Sequence, residues 1–139
     1  MRQSVLRQGV AAGLVLLGSY GIGAAAGPET GPQAFVQLAQ AADQATLMRE
    51  GGPLYTGNCA VCHGQQGQGD MGPKLIGYEF LKSAPAVVSQ IFNGMEEHGM
   101  PPFRDVLNDR KIAAIATYIR NAWGNTYGIV TPADVAGLR

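Results

Sequence analysis

The stretch CAVCHG, residues 59–64, constrains this chain more than any other feature, because it holds both cysteines and one of the two histidines. Cys59 and Cys62 have the spacing that places two side chains on the same side of a helix, and His63 follows directly. C-x-x-C-H is the attachment signature of covalent haem, in which two thiols add to the vinyl groups of the porphyrin. The motif therefore predicts one haem c, bound through Cys59 and Cys62, with His63 as a ligand of the iron.

Three other kinds of site use cysteines at close spacing. A thioredoxin-like dithiol needs a βαβ context, and no period-two alternation here is long enough for a strand. A zinc site would combine Cys59, Cys62, His63 and His98, but structural zinc is usually closed by well-separated ligands. A disulfide within the motif would be strained. Haem attachment is favoured over all three, because C-x-x-C-H is its signature and because the N-terminus reads as an export signal, which agrees with it.

Residues 1–26 predict a signal peptide. Two arginines precede an apolar run, and an A-x-A cleavage site ends at Ala26. We expect an exported, periplasmic protein, and an oxidising compartment explains why no further cysteine is present to mispair. The alternative is an uncleaved membrane anchor, since the apolar stretch 10–26 approaches the length of a spanning helix.

The first half of the chain beyond the signal predicts helices and loops. Residues 34–48 have apolar side chains at roughly helical spacing and predict either a loosely docked helix or a flexible leader. A separate helix beginning near Pro53 would carry the cysteines, since proline is tolerated in a first turn. Residues 64–77 are rich in glycine and predict a loop.

The second half predicts two further helices and a capped tail. Residues 84–93 form a short amphipathic pattern, and residues 94–103 follow as a loop with two prolines. The strongest element is 108–124, capped by Asn108 or Asp109 and ended by Gly124. Its apolar stripe consists of Ile112, Ile115, Ile119 and Trp123. The tail begins with Thr131 and Asp134 in capping-box positions. The fold class is all-α.

The sixth ligand of the iron must come from outside the motif. The candidates are Met48, Met71, Met95, His98 and Met100. Met100 is favoured because Gly99 lets the chain bend and two prolines stiffen it, and because methionine is a haem ligand that raises the reduction potential. The rival His98 lies beside two glutamates in a polar stretch, where a solvated side chain is expected.

Four segments together resemble class I c-type cytochromes, especially the small bacterial ones that serve periplasmic dehydrogenases. They are LYTGNCAVCHG, GPKLIG, NGMEEHGMPPF and IAAIATYIRNAWGN. The resemblance covers residues 51 to about 128 and implies three to five helices wrapped around one covalently bound haem. The N- and C-terminal helices would cross, with Gly51, Tyr55 and Tyr118 at the crossing. It also implies that the carbonyl of Pro73 accepts a hydrogen bond from His63. The insert MEEH departs from the family pattern.

This resemblance divides the chain into four parts. We expect a signal peptide over 1–26, a linker or leader over 27–48, the cytochrome c domain over 49–128 and a C-terminal tail over 129–139. The ten acidic residues balance the ten basic ones, and no basic run occurs. Binding to nucleic acid is therefore excluded.

The predicted function is transfer of single electrons, not catalysis. Iron with two protein ligands has no open position for a substrate. We expect a soluble carrier or the small cytochrome subunit of a periplasmic dehydrogenase or oxidase. Its partners would be a dehydrogenase donor and an oxidase or another cytochrome as acceptor, with membrane contact only through an uncleaved signal. The alternative is a haem enzyme or gas sensor in which Met100 does not bind and the sixth position is open.

Overall fold

The computed structural model describes residues 31–139, so the predicted signal peptide lies outside the described residues. Within that range the chain is helical and contains no strand, which confirms the all-α prediction. The helices are α1 (Pro32–Asn58), α2 (Ala60–His63), α3 (Ala84–Asn93), α4 (Asp109–Asn121) and α5 (Pro132–Ala136), with short 3-10 helices at Glu79–Lys82 and Glu96–His98. None of these helices is long and apolar enough to cross a membrane.

The prediction of a separate helix beginning near Pro53 is wrong. α1 begins at Pro32, and Pro53 lies inside it. A proline in a helix interior removes one hydrogen bond and is costly, so packing must hold this part of α1 in place. The N-terminal end of α1 does not share that packing, because Phe35 is 69% exposed whereas Leu47 is only 5% exposed.

The crossing of α1 and α4 supplies that packing. A Cβ built on Gly51 would lie 2.6 Å from Cβ of Tyr118 and would overlap the carbonyl oxygen of Ala114. Only glycine therefore allows the two backbones to approach this closely. Glu50 and Arg110 join the same helices through hydrogen bonds of 2.7 and 3.0 Å. The predicted crossing of an early helix with a late one is confirmed.

The predicted helices of the second half are present. Asn108 caps α4 by accepting a hydrogen bond from the Lys111 N–H at 3.0 Å. α4 ends at Asn121, however, and not at Gly124 as predicted. Trp123 has left the helix with φ of 54°, and its ring packs at 5.1 Å from that of Tyr55 and 5.4 Å from that of Tyr118. Those aromatic contacts require a position that a continued helix would not provide.

The segment after α4 folds back over the helices. Val130 and Val135 are fully buried, and the predicted capping box of Thr131 and Asp134 is present at the start of α5. Arg120 ties this segment to the 3-10 helix before α3, since its guanidinium donates to the carbonyls of Leu81 and Ile129 at 2.8 and 3.2 Å. The fold thus leaves the space between α2, α3 and α4 lined by apolar side chains.

Candidate haem site

The two cysteines and the histidine of the motif lie on one turn of the chain. The backbone of Cys59 departs from helical geometry between α1 and α2 (φ −121°, ψ −32°), yet hydrogen bonds bridge the junction. Its N–H donates to the Tyr55 carbonyl at 2.8 Å, and the His63 N–H donates to the Cys59 carbonyl at 2.9 Å. Cys59, Cys62 and His63 are all partly buried and line the same cleft.

This cleft has a volume of about 440 Å³ and a mainly apolar lining. Its apolar walls come from the loop after α2, from α3 and from α4. They include Leu75, Leu81, Val87, Ile91, Ile115 and Ile119. The site residues predicted from the sequence all line it: Cys59, Cys62, His63, Pro73 and Met100.

His63 is held in one orientation by the loop that follows it. Its Nδ1 lies 2.9 Å from the Pro73 carbonyl oxygen, the contact that the resemblance implies. A carbonyl only accepts, so Nδ1 carries the proton and Nε2 is left with its lone pair available for a metal. Gly72 makes this approach possible, because a Cβ there would lie 2.8 Å from Cε1 of His63. The loop is fixed in turn by the Gly72 N–H, which donates to the Cys62 carbonyl at 2.9 Å.

The cysteines are free thiols and not a disulfide. Burial, with the neighbouring Cys62 as a smaller cause, raises the pKa of Cys59 to about 12. A free thiol at this position is therefore protonated at neutral pH. In addition, residues 31–139 contain no group of three or more His, Cys, Asp or Glu side chains placed to hold a metal ion. The geometry does not support the zinc alternative.

Met100 also lines the cleft, from the loop between α3 and α4. The loop is closed by a pair of backbone hydrogen bonds between Met95 and Met100, at 2.8 and 3.1 Å. Met100 is partly buried and packs against the hydrophobic core. The amide of Gln90 donates to its sulfur at 3.6 Å. Met100, in its closed loop, and His63 thus line the same cleft.

Three of the other candidates for the sixth ligand are more exposed than Met100, and the fourth, Met48, does not line the cleft. Met71 is 74% exposed and Met95 is 36% exposed, although both contribute to the cleft lining. His98 also lines the cleft, but it lies exposed at the end of a 3-10 helix. Met48 lies on α1 and is not among the lining residues. Burial favours Met100, whose ligation stays a prediction.

The sequence interpretation did not mention Gln90, and it placed Tyr55 only at the helix crossing, although both residues line the cleft. Gln90 lies one turn after the buried Val87 and beside the buried Ile91, so a polar residue on an apolar helix face was the available signal. Tyr55 is fully buried, and its hydroxyl donates to the Gly64 carbonyl at 2.6 Å. Burial raises the pKa of Tyr55 to about 12, so it remains a neutral donor. This hydroxyl fixes the chain at the exit of the motif.

These residues fit a covalently attached porphyrin. The apolar walls offer a surface for a large flat ring, and the two thiols lie on the turn that forms one side of the cleft. An imidazole with a free Nε2 and a thioether sulfur supply the nitrogen and sulfur donors that haem iron accepts in c-type cytochromes. Among the described residues that line the cleft there is no aspartate, glutamate, lysine or arginine.

The relatives of this chain are of two kinds, cytochrome subunits of oxidoreductases and single cytochromes named c-553-like or c6. The cytochrome c subunit of a quinone alcohol dehydrogenase from Gluconobacter oxydans is 30% identical over 64% of this chain. A cytochrome c-553-like protein from Synechocystis is 33% identical over 50% of this chain, and cytochrome c6 from Thermostichus vulcanus is 34% identical over 61%. The chain spans 22% of the alcohol dehydrogenase subunit, 64% of the c-553-like protein and 78% of the cytochrome c6.

A family comparison covers more than half of the chain. Residues 46–119 match the family described as cytochrome c oxidase, cbb3-type, subunit III, whose members are c-type cytochrome domains. The matched range contains the cysteines, His63, Met100 and the parts of α1 and α4 that hold Gly51 and Tyr118. The domain of this family carries haem c, in agreement with the cleft. The chain therefore belongs to the cbb3-type subunit III family of c-type cytochrome domains.

Proposed function

We propose that this protein is a monohaem c-type cytochrome that transfers single electrons and catalyses no reaction by itself. Haem c is bound through thioethers of Cys59 and Cys62, and the iron is ligated by His63 and Met100. The observation that carries the proposal is that one apolar cleft collects both thiols, the imidazole and the buried thioether sulfur. Relatives of both kinds are named as cytochromes, which supports the same function.

The residues of the cleft prepare the site for electron transfer. Bound haem supplies a reversible one-electron couple at its iron. The Pro73 carbonyl holds the Nδ1 proton of His63 at 2.9 Å, which orients the ring and makes Nε2 a better donor. With Met100 from the closed loop as its second protein ligand, the iron would have no open position for a substrate. The mainly apolar lining offers water few hydrogen-bond partners.

The setting of this function follows from the predicted signal peptide and from the relatives. We place the protein in the periplasm, as a soluble carrier or as the small cytochrome subunit of a dehydrogenase or oxidase. One relative is a subunit of an alcohol dehydrogenase, and another is the FixP subunit of a cbb3-type oxidase from Rhizobium meliloti. Donor and acceptor are accordingly a periplasmic dehydrogenase and an oxidase or second cytochrome.

The test is expression of the full chain together with the haem-maturation machinery. The expected product is red, has the mass of the chain plus one haem, and shows low-spin spectra in both oxidation states. The oxidised form should show the weak long-wavelength band that arises when a methionine sulfur ligates ferric iron. A colourless protein with the mass of bare chain would refute the proposal. A high-spin spectrum that changes at once with carbon monoxide would show the open-site alternative.

A further inference from the structure

The segment that follows α4 lies beyond the family match, which ends at residue 119, yet it is firmly packed. The Thr117 hydroxyl donates to the Val130 carbonyl at 3.1 Å and accepts from the Val130 N–H at 2.9 Å. Val135 on α5 is fully buried. These contacts hold α5 on the face of α4 and bring the last residue, Arg139, to a defined place.

Arg139 lies against the chain that leads from the methionine loop into α4. Its guanidinium donates to the carbonyls of Arg104 and Leu107 at 3.1 and 3.2 Å. It also forms an ion pair with Asp109, the first residue of α4. The same group lies 5.2 Å from the centroid of the Phe92 ring on α3. One planar side chain thus contacts both helices that flank the loop and two carbonyls between them, a geometry suited to the fixed fork of arginine.

The methionine loop, residues 94–107, is held from both of its ends. On the α3 side, the N–H groups of Phe103 and Arg104 donate to the carbonyls of Ile91 and Phe92 at 3.2 and 3.3 Å. On the α4 side, the Arg139 guanidinium donates hydrogen bonds to the carbonyls of Arg104 and Leu107. Met100 lies only four residues before Arg104. The contacts of Arg139 therefore oppose any opening of the loop that carries this stretch along.

We infer that Arg139 is a positioning residue that keeps the methionine loop closed and so slows the release of Met100 from the iron. The inference rests on the proposed function, in which Met100 is the sixth ligand. Arg139 does not touch the cleft itself, since it is not among the lining residues. Its effect passes through the backbone of the loop, as a local opening equilibrium rather than as a contact with the iron.

The experiment measures how fast imidazole replaces the methionine ligand in the oxidised holoprotein. Exogenous imidazole can bind only when the loop opens, so the saturating rate reports opening. Arg139→Ala should raise this rate about fivefold. Arg139→Lys should give a rate between those of the wild type and Arg139→Ala, because it keeps one positive charge near Asp109. Backbone hydrogen exchange of the Phe103 and Arg104 amides should accelerate by a similar factor in Arg139→Ala, a readout independent of the spectrum.

Arg110→Ala is the matched control, because Arg110 is also an exposed arginine paired with a carboxylate, but on the α1 side of α4. It should leave the imidazole rate unchanged. Equal rates in the wild type and Arg139→Ala, or equal acceleration by both arginine variants, would overturn the inference. Absence of the methionine band in the wild type would instead refute Met100 as the ligand and with it the proposed site, so the two failures are distinguishable.

Discussion

At the scale of single residues, the two proposed iron ligands have different hydrogen-bond partners. His63 is oriented by a backbone carbonyl 2.9 Å away, whereas Met100 receives a side-chain amide of Gln90 at 3.6 Å from its sulfur. The first contact increases the donor strength of the imidazole. The second withdraws electron density from the thioether. In the proposed site, both contacts would act on the reduction potential through the ligands.

Replacing Met100 by alanine should lower the reduction potential and open the iron. Methionine ligation raises the potential of c-type haem, so its loss should shift the midpoint downward by more than about 59 mV, a tenfold change in the one-electron equilibrium. Voltammetry measures the shift, and binding of carbon monoxide to the reduced protein measures the open position. An unchanged potential would mean that His98 or another methionine is the ligand.

Replacing Gln90 by leucine should lower the potential by a smaller amount. The amide donor favours the reduced iron by making the sulfur a weaker electron donor. A hydrogen bond worth about 1 kcal/mol limits the shift to at most about 40 mV for one electron, because only the difference in its strength between the two oxidation states counts. Gln90→Glu, whose protonated form alone donates, should give a pH-dependent potential. A leucine variant with the wild-type midpoint would show that the 3.6 Å contact has no influence on the iron.

At the scale of elements, the crossing of α1 and α4 depends on one missing side chain. Gly51→Ala should destabilise the holoprotein by about 1–3 kcal/mol, because the added Cβ overlaps the backbone of Ala114. Gly57 provides the control on the same helix, since a Cβ there has nothing within 4 Å. Gly57→Ala should stabilise the protein by about 0.5–1 kcal/mol. Urea denaturation followed by far-ultraviolet circular dichroism measures both, and similar effects at the two positions would contradict the close crossing.

The sequence predicted most elements, and its errors have physical causes. The caps at Asn108 and Thr131 were predictable because capping is a local property. The start of α1 was not predictable, because a proline in a helix usually lies in its first turn. Only contacts with a distant helix keep Pro53 in the interior of α1. The end of α4 was missed for a similar reason, because the ring of Trp123 packs on Gly67, far away in sequence.

At the scale of the whole molecule, Arg120 joins three regions from a buried position. It is 4% exposed, and in the described part of the chain it donates to carbonyls of Leu81, Lys82, Tyr127 and Ile129. Burial lowers its pKa from the ordinary value, but an arginine remains charged at any physiological pH. The charge is thus solvated by carbonyl dipoles in place of water.

Arg120→Met should be strongly destabilising, by at least about 3 kcal/mol, because several carbonyls lose their donor in a region closed to water. Arg110→Met is the matched change at the surface and should cost no more than about 1 kcal/mol. The comparison uses urea denaturation of the two holoproteins. Equal losses would mean that water replaces the guanidinium of Arg120 without difficulty.

The haem site itself was predictable only in part. Cys59, Cys62 and His63 form a contiguous motif, and their chemistry depends on spacing that a sequence displays directly. The walls of the cleft come from residues far apart in the chain, such as Leu75 and Ile119. Their convergence depends on the packing of helices, which no local pattern encodes. The same holds for the contact of Gln90 with Met100.

The crossing of α1 and α4 also governs how the molecule is assembled. Glu50 and Arg110 are separated by sixty positions, and the chain between them carries the cysteines, the histidine and Met100. Bringing these ends together is a long-range loop closure, whose entropy must be overcome before the contacts are gained. The cleft is complete only when the crossing of α1 and α4 has closed the segment between Glu50 and Arg110. Folding of the two helices and enclosure of the iron should therefore be a single cooperative event.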